Sequence, residues 1–373
     1  MIPFNKPYLT GKEMHYMYQA VYSGKISGNG MFTQKCHKFF EDRYGFKKAL
    51  LTTSCTDALE MCALLADIKP GDEVIVPSYT FVSTALAFVR QGAKIVFADC
   101  RSDHPGINEN TIEELITPKT KAIVPVHYAG IACDMDKIMA LAENYDILVI
   151  EDAAQAIESF YKGRPLGSIG HLAAFSFHET KNINSGEGGL LAINDERFIE
   201  RSEIIWEKGT NRAEFFRGEV NKYGWVDVGS SFLPSEIIAA YLWAQLENLE
   251  NIQKRRIEIW DQYYDGLKEW GKSNNIKLPF IPEYATNNGH MFYLICKTPK
   301  QRDLLIKHLK YKEIHSVFHY LSLHKSEFCK YFFDVNKEMP NSDLYTEQLV
   351  RLPFFYELDN RLLSIAINSI KQF

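Results

Sequence analysis

Short, uninterrupted apolar runs at Glu73–Pro77, Lys94–Ala98, 122–126 and 147–150 read as strands. Between them, stretches 56–68, 82–91, 111–115 and 135–144 carry apolar residues at helical spacing. Continuous rather than alternating hydrophobicity belongs to strands covered on both faces, and helices between such strands predict a mainly parallel sheet in an α/β fold. Residues 172–177 and 188–193 read as two further strands, joined by a polar, Gly-rich turn.

After Pro234 the pattern becomes helical and long. Ile237, Ile238, Tyr241, Leu242, Leu246, Leu249, Ile252 and Trp260 recur at near-helical spacing, and Pro234 suits a first-turn position. The chain is expected to pass here from a large domain, residues 1–245, into a smaller α+β domain, residues 246–373. The smaller unit is predicted to hold strands at 291–296 and 316–320 and a helix at 301–310. There are no internal repeats and no low-complexity linker.

Composition narrows the classes. The 373 residues suffice for a substantial core, and 46% hydrophobic with 24% charged residues is a globular balance. A formal net charge of -5 gives no basic field for nucleic acid. No apolar run approaches the roughly 20 residues of a membrane span. The first residues lack a charged segment followed by an apolar one, so no signal peptide is expected and the expected compartment is the cytoplasm. The 7 cysteines are odd in number, scattered and without C-x-x-C spacing, which suits free thiols.

Candidate chemistry follows the strand ends, where open α/β sheets collect their ligands. Asp152 follows the run at 147–150 and could keep a cofactor's pyridine nitrogen protonated; taken alone, an Asp there is more often a helix cap. Lys181 follows the strand at 172–177 and could serve as a Schiff-base amine, or stand as a solvated surface lysine. Ser176 could donate to a phosphate. Ser54-Cys55-Thr56-Asp57-Ala58 opens an apolar helix, which makes either a phosphate seat or a simple cap. Gly186-Glu187-Gly188-Gly189 is not a dinucleotide fingerprint, and no P-loop is present. His315, His319 and His324 fit no zinc spacing, so no metal is expected.

Taken in order, these motifs form a specific series: Ser54-Cys55-Thr56, Pro77 through Thr84, Pro125-Val126-His127-Tyr128-Ala129-Gly130, Glu151-Asp152-Ala153-Ala154-Gln155, Phe175-Ser176-Phe177-His178 and Lys181-Asn182. The series resembles the DegT/DnrJ/EryC1/StrS family of sugar-nucleotide aminotransferases over essentially the whole chain. The resemblance implies the aspartate-aminotransferase fold (fold type I), pyridoxal 5'-phosphate (PLP) as cofactor, and a homodimer with shared active sites. By the same resemblance, Lys181 is the lysine that carries the cofactor and moves a proton, Asp152 the partner of the ring nitrogen, and Gln155 a neighbour of the ring hydroxyl. Phe81 is the aromatic that stacks on the ring, Cys55 and Thr56 supply amides to the phosphate, and Ser176 supplies a side chain there. His319 and Tyr320 match a pair near the sugar or donor. Many relatives carry a G-x-N-x-R-type motif that reaches the partner's phosphate; this chain reads Gly229-Ser230-Ser231-Phe232-Leu233, so Ser230 or Ser231 takes that place.

Within the family the likeness is closest to the subgroup that aminates C4 of dTDP-4-keto-6-deoxy-D-glucose with L-glutamate, the activity that makes dTDP-4-amino-4,6-dideoxygalactose for enterobacterial common antigen. Its marks here are Met1 through Asn5, Ser176 through Asn182, Glu207 through Arg212, Phe215 through Gly218 and Gly229 through Ser231. Arg212 and Arg217 could face the nucleotide diphosphate or the donor carboxylate, or be surface arginines. The gluco epimer (dTDP-viosamine) and C3 amination of a 3-keto sugar remain open alternatives. Dehydratase relatives usually replace the cofactor lysine by histidine, so Lys181 argues against that class, and Lys181 with Asp152 argues against a non-catalytic sensor or scaffold.

Overall fold

The computed structural model describes residues 1–332 and 338–373. Eleven strands occur in it: β1 (Lys48–Thr52), β2 (Glu73–Pro77), β3 (Lys94–Ala98), β4 (Thr120–Ile123), β5 (Leu148–Asp152), β6 (Phe160–Tyr161), β7 (Arg164–Pro165), β8 (Leu172–Ser176), β9 (Gly189–Ile193), β10 (Tyr293–Ile295) and β11 (Leu349–Arg351). Seven form one sheet in the order β1-β9-β8-β5-β4-β2-β3. Neighbours from β3 to β8 run parallel, while β9 lies antiparallel to both β8 and β1.

Both faces of the sheet are covered, which is why its strands lack a polar face. Successive residues enter opposite cores: Val149 belongs to the core that holds Phe40, Ile75 and Ile138, whereas Ile150 belongs to the one that holds Leu59, Val76 and Ala122. Helix Met31–Tyr44 belongs to the first layer, and helix Cys55–Leu65 to the second. The strands of the alternating region stand within two or three residues of their expected bounds. Strand β1 and helices Glu13–Tyr22 and Met31–Tyr44 add elements for which no run had been singled out.

Three local expectations are corrected. Residues 111–115 give no α-helix but belong to two 3₁₀ turns, Glu109–Thr111 and Glu113–Leu115; so short a stretch closes too few hydrogen bonds to propagate. Pro234 lies outside the first turn, because helix Glu236–Glu247 begins after Ser235. Glu236 is turned instead onto the start of helix Met31–Tyr44, where its carboxylate accepts from the amides of Gly30 (2.9 Å), Phe32 (2.7 Å) and Thr33 (3.0 Å). Residues 316–320 form no strand: Val317 makes a single bridge to Arg351, after which His319 and Tyr320 leave the pairing direction and line a cavity.

A third core is built by the 26-residue helix Leu249–Asn274, the antiparallel pair β10–β11, and helices Pro299–Tyr311 and Asn360–Lys371. Ile2 joins it from the N-terminus, its amide donating to Glu313 O at 2.8 Å. The cavity lies between this unit and the carboxyl ends of the sheet strands. No described helix is long and apolar enough to cross a membrane.

Candidate active site

The cavity has a volume of about 810 Å³ and is lined from the sheet side by Asp152, Ser176 and Lys181. Asp152 is the last residue of β5. Its backbone is clamped on both sides, with Asp152 N–H donating to Pro125 O (2.9 Å) and His127 N–H donating to Asp152 O (3.1 Å). Its carboxylate accepts from Thr84 Oγ1 at 2.7 Å and from the Ala154 amide at 3.2 Å. Burial pushes the Asp152 carboxyl up, against the lowering pull of Thr84. Such a carboxylate gains most from a cation set opposite it.

Glu151 points the other way, to a purely structural task. Burial would raise it, but the hydrogen bond from His127 and backbone amides hold it below its ordinary value. Those amides belong to Gly167 (2.8 Å), Ile169 (2.8 Å) and Gly170 (2.6 Å). His127 Nδ1 accepts from the Cys133 amide at 3.3 Å, so Nε2 carries the hydrogen and donates to Glu151 at 2.9 Å.

Lys181 sits in the tight loop after β8, where its amide donates to His178 O and the Glu179 amide to Gly186 O, both at 2.9 Å. Burial lowers the Lys181 amine, only partly offset by Cys55 and Asp152. A depressed ammonium is more readily the free amine that attacks a carbonyl.

Helix Cys55–Leu65 aims its N-terminus at the same space. Ser54 caps it, accepting from the Asp57 amide at 3.1 Å, and the amides of Cys55 and Thr56 are first-turn donors without an intrahelical partner. Thr56 and Ser83 hydroxyls meet at 2.7 Å beside them. The N-terminus can approach β9 only because residue 189 is glycine: a Cβ there would lie 2.5 Å from Cys55 N. At the mouth, Phe81 is 56% exposed, with its ring 6.1 Å from that of Tyr320.

The opposite wall comes from the C-terminal unit. His319 and Tyr320 stack at 3.6 Å, Tyr320 OH accepts from Gln155 Nε2 at 2.9 Å, and Tyr128 OH meets His319 Nδ1 at 2.6 Å. Gln155 Oε1 accepts from the Ala129 amide at 2.6 Å. Sequence reasoning gave Thr84 no role, although it closes the Pro77–Thr84 motif, and missed His290 and Arg351, which lie outside every quoted motif and are delivered by tertiary packing. Arg212, Arg217 and Ser231 are not brought there. Arg217 pairs with Glu203 (2.6 Å) and Glu219 (2.8 Å). Arg212 lies over Phe216 (5.2 Å) and 3.7 Å from Glu207, and together with Ser231 it lines a separate cavity of about 560 Å³. Among the described residues no group of three or more His, Cys, Asp or Glu side chains could hold a metal ion.

The model of the DegT/DnrJ/EryC1/StrS aminotransferase family matches residues 7–371. The chain belongs to this family. Its relatives include the spore coat polysaccharide biosynthesis protein SpsC of Bacillus subtilis, 32% identical over 99% of this chain and 96% of that protein. Among solved structures, a putative sugar aminotransferase from Streptococcus pneumoniae in its PMP form superposes with a TM-score of 0.92, at 26% identity over 100% of this chain and 98% of that one. DesV of S. venezuelae gives a TM-score of 0.90 at 28% identity, covering 100% and 98%. The protein is therefore a PLP-dependent sugar aminotransferase with the fold of PLP enzymes of fold type I. The site fits that cofactor on its own chemistry: a buried carboxylate that wants a cation, an amine of lowered basicity, and a helix N-terminus for an anion converge on one cavity.

Proposed function

We propose that the protein transfers the amino group of L-glutamate to C4 of dTDP-4-keto-6-deoxy-D-glucose, giving dTDP-4-amino-4,6-dideoxy-D-galactose and 2-oxoglutarate for a surface polysaccharide. The observation that carries the reading is the meeting of Lys181, Asp152 and the amides of Cys55 and Thr56 at one cavity. The subgroup marks support the sugar: Phe4, Asn5, Ser176, His178 and Thr180 all line that cavity. The role of SpsC in spore coat polysaccharide synthesis supports the destination.

When bound, PLP would supply an electron-withdrawing ring for amino-group transfer. Asp152 holds the proton on the ring nitrogen, and Thr84 fixes the carboxylate that does so. Phe81, at the cavity mouth, would offer its ring to the cofactor. Ser176 and the first-turn amides bind the phosphate. Lys181 Nζ anchors the cofactor, takes the proton from the donor's α-carbon and later delivers one to the sugar carbon. His319, Tyr320 and Gln155 orient the substrates on the far wall. Ser231, Arg212 and Arg217 act on a second copy's site in a homodimer. The exposed Met14 (75%), Tyr18 (65%), Tyr22 (81%) and Trp225 (85%) supply apolar surface for that contact.

The deciding experiment incubates the protein with PLP, L-glutamate and the dTDP-4-keto sugar and records the product's proton NMR spectrum. A small H3–H4 coupling establishes the axial amine of the galacto product. A large one moves the product to the gluco epimer, and absence of amination turns attention to the 3-keto isomer.

A further inference from the structure

Among the described residues, Arg351 is a cation without an acid. It ends β11, pairs with Tyr293 across β10 and exchanges two backbone hydrogen bonds with Val317 (2.7 and 3.1 Å), so its Cα is rigidly held. Its guanidinium lies 4.7 Å from the Phe4 ring centroid and lines the cavity. Among the described residues Nη2 reaches only Phe318 O, at 3.5 Å, and Nε is buried with no hydrogen-bond partner. Burial depresses it, and the groups that act against this are the tyrosines Tyr128, Tyr320 and Tyr79 rather than any carboxylate. A half-buried guanidinium whose Nε is buried and left unpaired by the described residues is costly, and an anion entering the cavity offsets that cost.

Three anions could do so. The cofactor's phosphate is met by the N-terminus of helix Cys55–Leu65. The diphosphate of a sugar nucleotide hangs from C1, across the ring from the carbon that accepts nitrogen. The donor's α-carboxylate sits on the very carbon that gives the nitrogen up, and Arg351 is among the charges that act on Lys181 and His290, beside the reacting amine. We infer that Arg351 is the specificity residue that binds the α-carboxylate of the amino donor and of the 2-oxo acid it becomes. The inference rests on the aminotransferase activity and is independent of the sugar proposed above.

The test is the donor half-reaction of the holoenzyme, which needs no sugar, followed by the cofactor's absorbance. Arg351→Gln is expected to lose about 100-fold in kcat/KM for L-glutamate. It should lose little for 4-aminobutyrate, which lacks the α-carboxylate. Calorimetric affinity for 2-oxoglutarate should fall in parallel, affinity for dTDP should stay within about twofold, and Arg351→Lys should recover part of the loss. An unchanged glutamate rate, an equal loss for both donors, or a loss confined to dTDP binding overturns the assignment, the last reassigning Arg351 to the diphosphate. Should Arg351→Gln misfold, seen as loss of the bound-cofactor spectrum, Arg351→Lys and the wild-type preference for L-glutamate over 4-aminobutyrate still decide it; no preference overturns it. Donor turnover with failure on the dTDP-4-keto sugar would remove the sugar reading and leave Arg351 standing.

Discussion

Asn182 Oδ1 accepts a hydrogen bond from His290 Nδ1 across 2.8 Å, and this bond selects the nitrogen that His290 offers to the cavity. Asn182 Nδ2 donates to Asn288 O (2.9 Å) and Gln253 Oε1 (3.1 Å), which leaves Oδ1 as the acceptor. His290 therefore carries its hydrogen on Nδ1, and Nε2 is an unprotonated acceptor. Burial, with Lys181 and Arg256 nearby, keeps the imidazole well below its ordinary value and so neutral. Asn182→Asp would place a carboxylate against Nδ1 and favour the imidazolium. A new acid limb near pH 6–7, the ordinary histidine range, is expected in kcat/KM for the donor half-reaction. The limb should be absent from the Asn182→Asp/His290→Gln double variant. Superimposable profiles for Asn182→Asp and wild type would dismiss the tautomer assignment.

Lys181→Ala should abolish transamination and remove the visible absorbance of the lysine-bound cofactor, while the fold persists. Normal turnover by this variant would end the assignment of Lys181.

The Thr84–Asp152 contact gives a graded test. A hydrogen bond to a charged group contributes about 1.5–3 kcal/mol, so Thr84→Val should weaken cofactor affinity by roughly 10- to 100-fold. Asp152→Asn should cost more in rate, about 10²- to 10³-fold, because the amide cannot stabilise a protonated ring nitrogen. Equal, small effects of both substitutions in equilibrium titration and steady-state rate would show that Asp152 does not face the ring.

What was legible in the sequence follows from range. The strands β2, β3, β5, β8 and β9 are locally encoded by apolar runs, and the site residues at their ends travel with them: Asp152 closes β5 and Lys181 follows β8. The wall opposite was not legible from pattern alone. Arg351 reaches the cavity because β11 pairs with β10 more than fifty residues earlier, and His290 because Asn288 reaches back to the carbonyls of Gln155 (2.7 Å) and Ile157 (2.9 Å). Residues 316–320 misled for a related reason. Their β-branched and aromatic residues suit a strand, but His319 and Tyr320 line the cavity instead.

Gly189→Ala tests the close approach of β9 to the N-terminus of helix Cys55–Leu65. A Cβ at 2.4–2.5 Å from Ser54 C and Cys55 N forces that backbone away. Overpacking of this kind costs about 1–3 kcal/mol, and the displaced amides should bind an anion less well. Both a lower Tm and a weaker Kd for PLP are expected. A lower Tm with unchanged PLP affinity would place the phosphate elsewhere.

The buried histidines set how stability responds to acid. His37 Nε2 accepts from the Leu51 amide at 2.9 Å and His104 Nδ1 from the Gly106 amide at 3.0 Å, so each must stay neutral to keep its bond. Burial lowers His37 to about 3 and His104 to about 4. Because the folded values lie below that of an unfolded histidine, about 6.5, the unfolded chain binds more protons between the two. The stabilisation is therefore complete above pH 6.5 and is lost as pH falls toward 4, at about 1.4 kcal/mol per pH unit for each such histidine. His290, buried, and His319, half-buried, are both depressed and add to the same slope. Carboxylates held low, such as Glu151, act only at lower pH, so urea unfolding between pH 6.5 and 5 isolates the histidines. His37→Gln keeps an acceptor for the Leu51 amide but cannot titrate. Its stability should fall with pH less steeply than wild type by about 1.4 kcal/mol per unit, and identical slopes would mean that His37 is protonated in the fold.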